Sequence, residues 1–447
     1  MNYYYGASIQ GIQGFIFATN KLQEIIGASE IVKNINEKFE KKFENDKDVD
    51  IILNAAGNIK AVFKNKETLQ NHILNFEKEI RQKAYGITIS QAVIKTDNTN
   101  PTDEDRQKLE KKLKTQRNKP SIPLDLSLNI TELAPSTAKP IYKIINKGKN
   151  EKEKIDKSAY QKRERFKKLE NQEIKDISQL SNKKNKIAVI HIDGNGLGKL
   201  LPELKDRYKI ELKDFSKELD SATKKAFEVA KQNKTLREVI LGGDDVTVII
   251  NGDEALEFTK VFLEEFEKNT KKYNLTACAG ISYCNENYPF HYAVNLAEEL
   301  CKEAKDRSKR EKSCLMFHNI QSSFIDDFEM IKKNELKVDG VEFDFGPYYL
   351  NDIPKIDDFL VVINGYKTEG SPISKIREWI GELDNKLYAN KLLNRINQIS
   401  KSKGWKVDIM DKNLKKLHKE LRSDNLIVNN KTPIYDVLQI ISISKGL

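Results

Sequence analysis

Ile240-Leu-Gly-Gly-Asp-Asp-Val-Thr-Val248 reads as two short apolar strands joined by a Gly-Gly turn that carries adjacent carboxylates, Asp244 and Asp245. Gly242 and Gly243 tolerate the positive φ of a tight turn and let a phosphate approach the backbone. Hard carboxylate oxygens at a strand end suit Mg²⁺ or Mn²⁺. Alone, this is also the composition of an ordinary solvated hairpin. Asp193, 51 residues upstream of Asp244, changes the reading. It ends the run Lys186-Ile-Ala-Val-Ile-His-Ile-Asp193, where an unpaired charge is costly to desolvate. Gly194, Asn195, Gly196, Leu197 and Gly198 follow, too glycine-rich for a helix interior, and predict a backbone-lined phosphate or metal cradle. Neighbouring strand residues face opposite sides. Asp244 and Asp245 therefore share an ion with Asp193 only if the turn twists the strand start, and if one of them is the ligand, it is Asp244.

Outward from this pair, the periodicity predicts a helix over 211–232, the hairpin, a helix near 253–272 and a strand from Leu275 to Tyr283. A helix opened by Pro289 and ending near Arg307 follows, then a strand from Cys314 to Phe317. The order is a ferredoxin-like βαββαβ palm with one helix and strand appended, an α+β fold. Lys305 lies in the last turn of the appended helix. A cation there either offsets the helix dipole or reaches a triphosphate.

The first ninety-odd residues repeat the order: a strand at Tyr3–Ile9, a helix over 14–42, a hairpin over 51–63, a helix over 66–83 and a strand over 86–95. Laid on Gly-Gly-Asp-Asp, the first hairpin tip reads Ala55-Ala56-Gly57-Asn58, without a carboxylate. The reading is two palms, one catalytic and one degenerate. The expected division is 1–97 degenerate palm, 98–184 basic linker or insert, 185–321 catalytic palm and 322–447 mostly helical C-terminal domain.

The chain has 447 residues, enough for about three domains with real cores, and a net charge of +10. Much of that charge is local: Lys139 to Leu169 holds twelve Lys/Arg against four Asp/Glu. A solvated linker or an RNA or polyphosphate contact both fit this segment. No signal peptide or apolar run near membrane-spanning length is visible, so a cytoplasmic protein that does not cross a membrane is expected. Cys278, Cys284, Cys301 and Cys314 form no C-x-x-C pair and read as small buried residues. In the tail, Ser371-Pro372 is expected to cap a helix carrying Ile376, Trp379, Ile380, Leu383, Leu387 and Leu392, and Thr432-Pro433 to open another.

The run IDGNGLGKL, the GGDD hairpin, ACAGISY with the helix YPFHYAVNLAEELCKEAK, and their spacing resemble the second palm of the large subunit of type III CRISPR effector complexes. More distantly they resemble diguanylate and class III nucleotide cyclases. Tyr5 to Val32, YGASIQGIQGFIFATNKLQEIIGASEIV, resembles that family's first palm. The resemblance implies palms that face each other across two nucleotides, with Gly27, Ala28 and Ser29, read as a turn, contacting the second; a helix kink or cap is the alternative. It further implies a second messenger in antiviral defence and docking to neighbouring subunits through the helical tail. Two departures stand out: Asn195 replaces an acid often present there, and no histidine is followed by aspartate, so the DNA cleavage of the relatives' histidine-aspartate nuclease domain is not expected.

The expected activity is a two-metal nucleotidyl transfer from ATP that yields a cyclic oligonucleotide or dinucleotide and pyrophosphate. Asp193, Asp244 and Asp245 are the candidate catalytic and metal-holding residues, with Mg²⁺ or Mn²⁺ as cofactor. Gly194, Asn195, Gly196, Gly242, Gly243, Lys305 and Ser29 are the candidate nucleotide contacts. Nucleoside triphosphates are the expected partners, with RNA, CRISPR effector subunits and a second copy of the chain as further candidates. A non-catalytic scaffold that binds RNA and protein is the alternative, disfavoured by three intact acids beside a degraded first hairpin. A homodimeric diguanylate cyclase relative is disfavoured by the internal second palm.

Overall fold

The computed structural model describes residues 1–55, 57–98, 100–118, 130–146, 152–169, 174–321 and 327–444. Ala56 of the first hairpin tip and residues 147–151 of the basic segment lie outside them. Two compact units emerge: residues 1–177 with 201–220, and residues 178–200 with 221–447.

In the first unit, β1 (Asn2–Gln10) leads through the short α1 (Ile12–Ile16) to α2 (Leu22–Phe43). β2 (Val49–Ala55), β3 (Asn58–Phe63), α3 (Lys66–Lys83) and β4 (Thr88–Thr96) complete the palm. The sheet order is β2-β3-β1-β4, antiparallel throughout, as a ferredoxin-like βαββαβ unit requires. Ile25, Ile35, Phe39 and Phe43 recur on the buried face of α2, and Phe39 and Phe43 meet Phe63 and Tyr5 of the sheet and His72 and Phe76 of α3 in a cluster of rings. The expected single helix over 14–42 is thus two helices, broken between Ile16 and Leu22.

The basic stretch after the palm is largely folded. α4 (Asp103–Arg117), opened by a Thr102–Asp105 capping box, lays Leu109 and Leu113 against β1 and β4. β5 (Lys143–Asn146) pairs with β6 (Lys152–Ile155), and α5 (Lys157–Lys167) packs along α2. Part of its charge is paired inside the fold: the Arg163 guanidinium lies 2.6 Å from Glu24 and 2.7 Å from Glu153. Paired cations with Ala159 and Phe166 buried among them are why so basic a sequence packs instead of acting as a linker.

The second unit begins with β7 (Lys186–Gly194) and α6 (Leu197–Leu200). The chain then runs through α7 (Leu204–Tyr208) and α8 (Leu212–Ala230), whose first half is grouped with the first unit. β8 (Leu236–Gly242), β9 (Asp245–Asn251), α9 (Ala255–Asn269), β10 (Ala277–Asn285), α10 (Phe290–Arg307) and β11 (Cys314–Asn319) follow. The order β10-β7-β9-β8 repeats the first palm, and β11 adds parallel to β10. Gly280 lets α10 sit directly on the sheet, because a Cβ there would stand 1.9 Å from the Ala297 carbonyl oxygen.

The tail is tied to this palm. After α11 (Phe328–Asn334) and the small pair β12 (Lys337–Val338) and β13 (Val341–Glu342), β14 (Tyr348–Tyr349) joins the sheet beside β11. α12 (Ile356–Tyr366), α13 (Ile373–Gly381), α14 (Lys386–Ser402), α15 (Val407–Leu417) and α16 (Ile434–Ile443) follow, with α16 against β11. The expected stripe from Ile376 to Leu392 is broken between Gly381 and Lys386; Leu387 is exposed, while Leu393 and Ile396 are buried, and Ser371 makes no side-chain cap. All four cysteines are free and buried. Among the described residues no helix is long and apolar enough to cross a membrane.

Candidate active site

The antiparallel register of β7 and β9 sets Asp193 opposite Asp245, and β10 sets Cys278 on the other side of Asp193. Asp244 is not a strand residue. It is the second residue of a two-residue turn whose first, Gly243, has φ +64°, the glycine position of a type II′ hairpin. Strand alternation therefore does not apply to it, and both acids of the hairpin approach Asp193. Thr223 of α8 fixes the turn by donating its hydroxyl to the Gly243 carbonyl at 2.5 Å. Gly194 is the space that admits Asp244: a Cβ there would stand 2.9 Å from Asp244 Cβ and 3.0 Å from its Oδ2.

Charge is concentrated at this corner. Burial, then the neighbouring Asp193, raises the Asp244 carboxyl to about 6. Burial again, followed by Asp193, Asp244 and Glu298, raises Asp245 to about 7. Asp245 Oδ1 is shut off from solvent without a hydrogen bond. His191 Nδ1 lies 3.5 Å away, but burial holds this imidazole down to about 4, so it is neutral at pH 7 and closer to the Thr247 hydroxyl at 3.3 Å. Lys305, only 7% exposed, supplies the counter-charge: its Nζ is 2.5 Å from Asp193 Oδ2 and donates to the Gly194 carbonyl at 2.8 Å.

The donor set suits a hard divalent cation: three carboxylates, one buried oxygen unsatisfied, and two carboxyls raised by burial and mutual repulsion. Among the described residues no three His, Cys, Asp or Glu side chains are drawn together as a ligand shell. Asp193 turns to Lys305 instead. Gly196, Gly242 and Gly243 face open space, since a Cβ at any of them would meet nothing within 4 Å, and Gly196 and Gly243 have positive φ.

Three expected contacts fall differently. Lys305 is an internal partner of Asp193, not a free cation at the rim. Asn195 turns its amide into the sheet, donating to Thr276 Oγ1 at 3.0 Å and the Cys278 sulfur at 3.2 Å, because a side chain 3% exposed must find partners inside. Gly27, Ala28 and Ser29 form neither turn nor kink but lie inside α2. Gly27 is covered by α5, with the Lys162 carbonyl oxygen 1.9 Å from where a Cβ would be, and Ser29 is half-buried on the same helix. Sequence reasoning missed Glu298, two turns before Lys305 on α10, and Thr223. The i, i+7 spacing of Glu298 and Lys305 was the available signal. Nothing local marks Thr223.

Residues 186–314 match the family described as Cas10/Cmr2, second palm domain. No curated protein matches the chain. Among solved structures it resembles the Csm1–Csm4 cassette in complex with cA3, with TM-score 0.57 and 13% identity over 99% of this chain and 69% of that chain. Csm1 in T. onnurineus aligns with TM-score 0.50 and 13% identity over 99% of this chain and 70% of that one. The Csm1–Csm4 cassette in complex with AMPPNP aligns at 0.46 and 14% identity over 70% of this chain and 54% of that chain. The chain thus spans between 54% and 70% of the length of these structures. Two palm sheets of one topology and an acidic corner on the second accompany these likenesses: residues 186–314 match the Cas10/Cmr2 second palm domain, and the chain shares its fold with Csm1.

Proposed function

We propose that the chain is a metal-dependent nucleotidyltransferase that converts ATP to a cyclic oligonucleotide or dinucleotide, releasing pyrophosphate, as a subunit of a CRISPR-linked antiviral system. The observation that carries this is the convergence of Asp193, Asp244 and Asp245 on one corner lined by open glycine backbone. That a cassette of the same fold was solved in complex with cA3 supports an adenylate product. The division into degenerate palm, insert, catalytic palm and tail belongs to the same proposal.

In this reading the backbone of Gly196, Gly242 and Gly243 admits the triphosphate close to the strand ends, while Gly194 leaves room for Asp244. Asp193, Asp244 and Asp245 would hold Mg²⁺ or Mn²⁺, which when bound lowers the pKa of a ribose hydroxyl and neutralises charge on the α-phosphate. The ribose hydroxyl, acidified in this way, would give up its proton to solvent. The ribose oxygen bonds to the α-phosphorus, the bond to the bridging oxygen breaks, and pyrophosphate leaves. Lys305 orients Asp193 and balances its charge rather than touching the leaving group.

The test incubates the pure protein with each radiolabelled nucleoside triphosphate and Mg²⁺ or Mn²⁺ and identifies products by mass spectrometry. The expected result is pyrophosphate and a cyclic adenylate, lost in Asp244→Ala that still folds. Equal turnover in mutant and wild type ends the proposal. Co-purified RNA with no product from any nucleotide would favour a scaffold instead.

A further inference from the structure

The first palm has an open flank. Its sheet runs β2-β3-β1-β4, so β2 and β4 are its edge strands. β2 is blunted by a register shift between Ile51 and Leu53, a bulge of the kind that discourages further pairing. β4 is straight: all nine residues from Thr88 to Thr96 pair with β1 without a shift. The direction of its free groups follows from β1. The Ile9 amide donates to the Gly57 carbonyl at 2.8 Å, so Tyr3, Tyr5, Ala7 and Ile9 turn their backbone groups to β3, and Tyr4, Gly6 and Ser8 turn theirs to β4. Opposite those three stand Ile94, Ala92 and Ser90. Gln91, Val93 and Lys95 are left to aim N–H and C=O away from the sheet, and the Val93 carbonyl accordingly accepts from the Lys112 ammonium at 2.9 Å.

This edge lies at the bottom of a trough between α3 and α4, formed by two cavities of about 810 and 370 Å³ that share Ile73, Val93, Lys112 and Thr115. The two walls differ. Gln91, Val93 and Lys95 point their side chains to the α3 side, where Tyr5 donates to Gln91 Oε1 at 2.8 Å and the Gln91 amide donates to the Ile73 carbonyl at 3.4 Å. That side is aliphatic, with Leu69, Ile73 and Val93 in the lining and Leu74, 73% exposed, beside Ile73 on α3. The α4 wall presents Lys108, Lys111 and Lys112. With Lys66 and Lys95 they make five lysines around the larger cavity, and no carboxylate lines either one. Of the five, Lys108 alone has an ion-pair partner among the described residues, Glu104.

One or two lysines suffice to guard an edge against self-association. A positive, half-aliphatic trough along a straight edge is the complement of an extended chain in which apolar and acidic residues alternate. Successive side chains of such a chain face opposite walls, apolar ones against α3 and carboxylates against the α4 lysines, while its main chain meets the outward groups of β4. A polynucleotide matches less well, because phosphate oxygens only accept and the edge presents carbonyls as well as amides.

We propose that β4 is a docking edge for an extended acidic segment of a partner protein, which joins the four-stranded sheet of the first palm as a further strand. Fluorescence anisotropy on the full chain tests it with a labelled peptide of alternating Val and Glu. A Val-Lys counterpart, a fully N-methylated Val-Glu peptide and an oligouridine of similar length are the comparison probes. The Val-Glu peptide should bind with a Kd of about 100 μM or tighter, and the Val-Lys and N-methylated peptides at least about ten-fold more weakly. Lys95→Glu/Lys111→Glu, both exposed positions, should weaken Val-Glu binding by about ten-fold or more. Val93→Pro, which removes one outward N–H at an edge where proline is tolerated, should weaken it by about five-fold or more. Asp193→Asn/Asp245→Asn should leave it unchanged. If Val93→Pro fails to fold, the lysine pair and the methylated peptide decide the question. No binding of the Val-Glu peptide at about 1 mM, equal binding of the N-methylated or Val-Lys peptide, or unchanged binding in the lysine variant would each overturn the proposal. So would oligouridine binding more tightly than the peptide and losing that binding in the lysine variant, which would make the trough a nucleic-acid groove. Because the edge and the acidic corner are mutated separately, a failure here leaves the cyclase reading untouched, and the reverse also holds.

Discussion

The two palms share a strand order and differ at one corner. In the second, Asp193 of β7 faces Asp245 of β9 and Cys278 of β10; in the first, the same register positions are Ser8, Asn58 and Ser90. The first corner sets neutral side chains beside a guanidinium, and their hydrogen bonds are made: Ser8 donates its hydroxyl to Asn58 Oδ1 at 3.0 Å, Arg117 donates to Ser8 Oγ at 3.1 Å, and the Gly57 amide donates to Asn36 Oδ1 at 3.1 Å. The second is charged and unsatisfied, with an orphan Asp245 oxygen and two raised carboxyls. A hydrogen-bonded corner has nothing left to offer a cation, whereas a frustrated one gains from binding it. The difference lies in a few side chains on a common frame, which is how one copy can keep a site the other lacks.

The sharpest way to break this comparison is to neutralise each corner in turn. Asp193→Asn/Asp245→Asn should reduce product formation from ATP by about 100-fold or more, while Ser8→Ala/Asn58→Ala should leave it within about two-fold; equal losses would mean both palms carry acids' work. Next comes packing. Gly280→Ala forces α10 off the sheet and should cost about 3 kcal/mol in chemical unfolding, with Gly27→Ala a similar loss through α5 in the first unit. Lys305→Met removes the cation beside Asp193 and should destabilise by about 1–3 kcal/mol, with a drop in activity that Lys305→Arg partly restores.

The pH dependence separates the corners further. Asp244 and Asp245 have folded pKa values above the unfolded value, so between about pH 4 and pH 6 to 7 the folded state holds more protons than the unfolded one, and stability falls as pH rises through that window. Without added divalent ion, Asp245→Asn should therefore raise the thermal midpoint at pH 8 and leave it unchanged at pH 4. Mg²⁺ or Mn²⁺ should raise the wild-type midpoint at pH 8 and not that of Asp193→Asn/Asp245→Asn. The smallest effect belongs to the first palm: Asn58→Asp should shift stability by about 1 kcal/mol or less and create no second activity, because Ser8 and Arg117 already occupy that corner.

Much of this was legible in the chain. Elements from Asn2 to Thr96 and from Lys186 to Asn319 fall within a few residues of the periodicity, because alternation and helical spacing are local. The acids also declared themselves, since Asp193 ends an apolar strand and Asp244 sits in a glycine turn. Where the reading slipped, the cause was long-range. Gly27 looked like a turn because glycine marks turns, yet its function is to receive α5 from more than a hundred residues away. Lys305 was expected to offset the helix dipole or reach a triphosphate, and its pairing with Asp193 escaped notice because that partner is far away in sequence. The basic stretch looked solvated because Glu24, which neutralises Arg163, belongs to another helix.

By itself the sequence determined two βαββαβ units, the acids of one and their absence from the other, since those follow from residue type and local period. Only the tertiary structure decided which cation serves Asp193, that Asp244 escapes strand alternation, and that β4 keeps an open edge between α3 and α4. Each of these depends on which surfaces meet, and burial changes the energy of a charge or a hydrogen bond in ways that no single segment specifies.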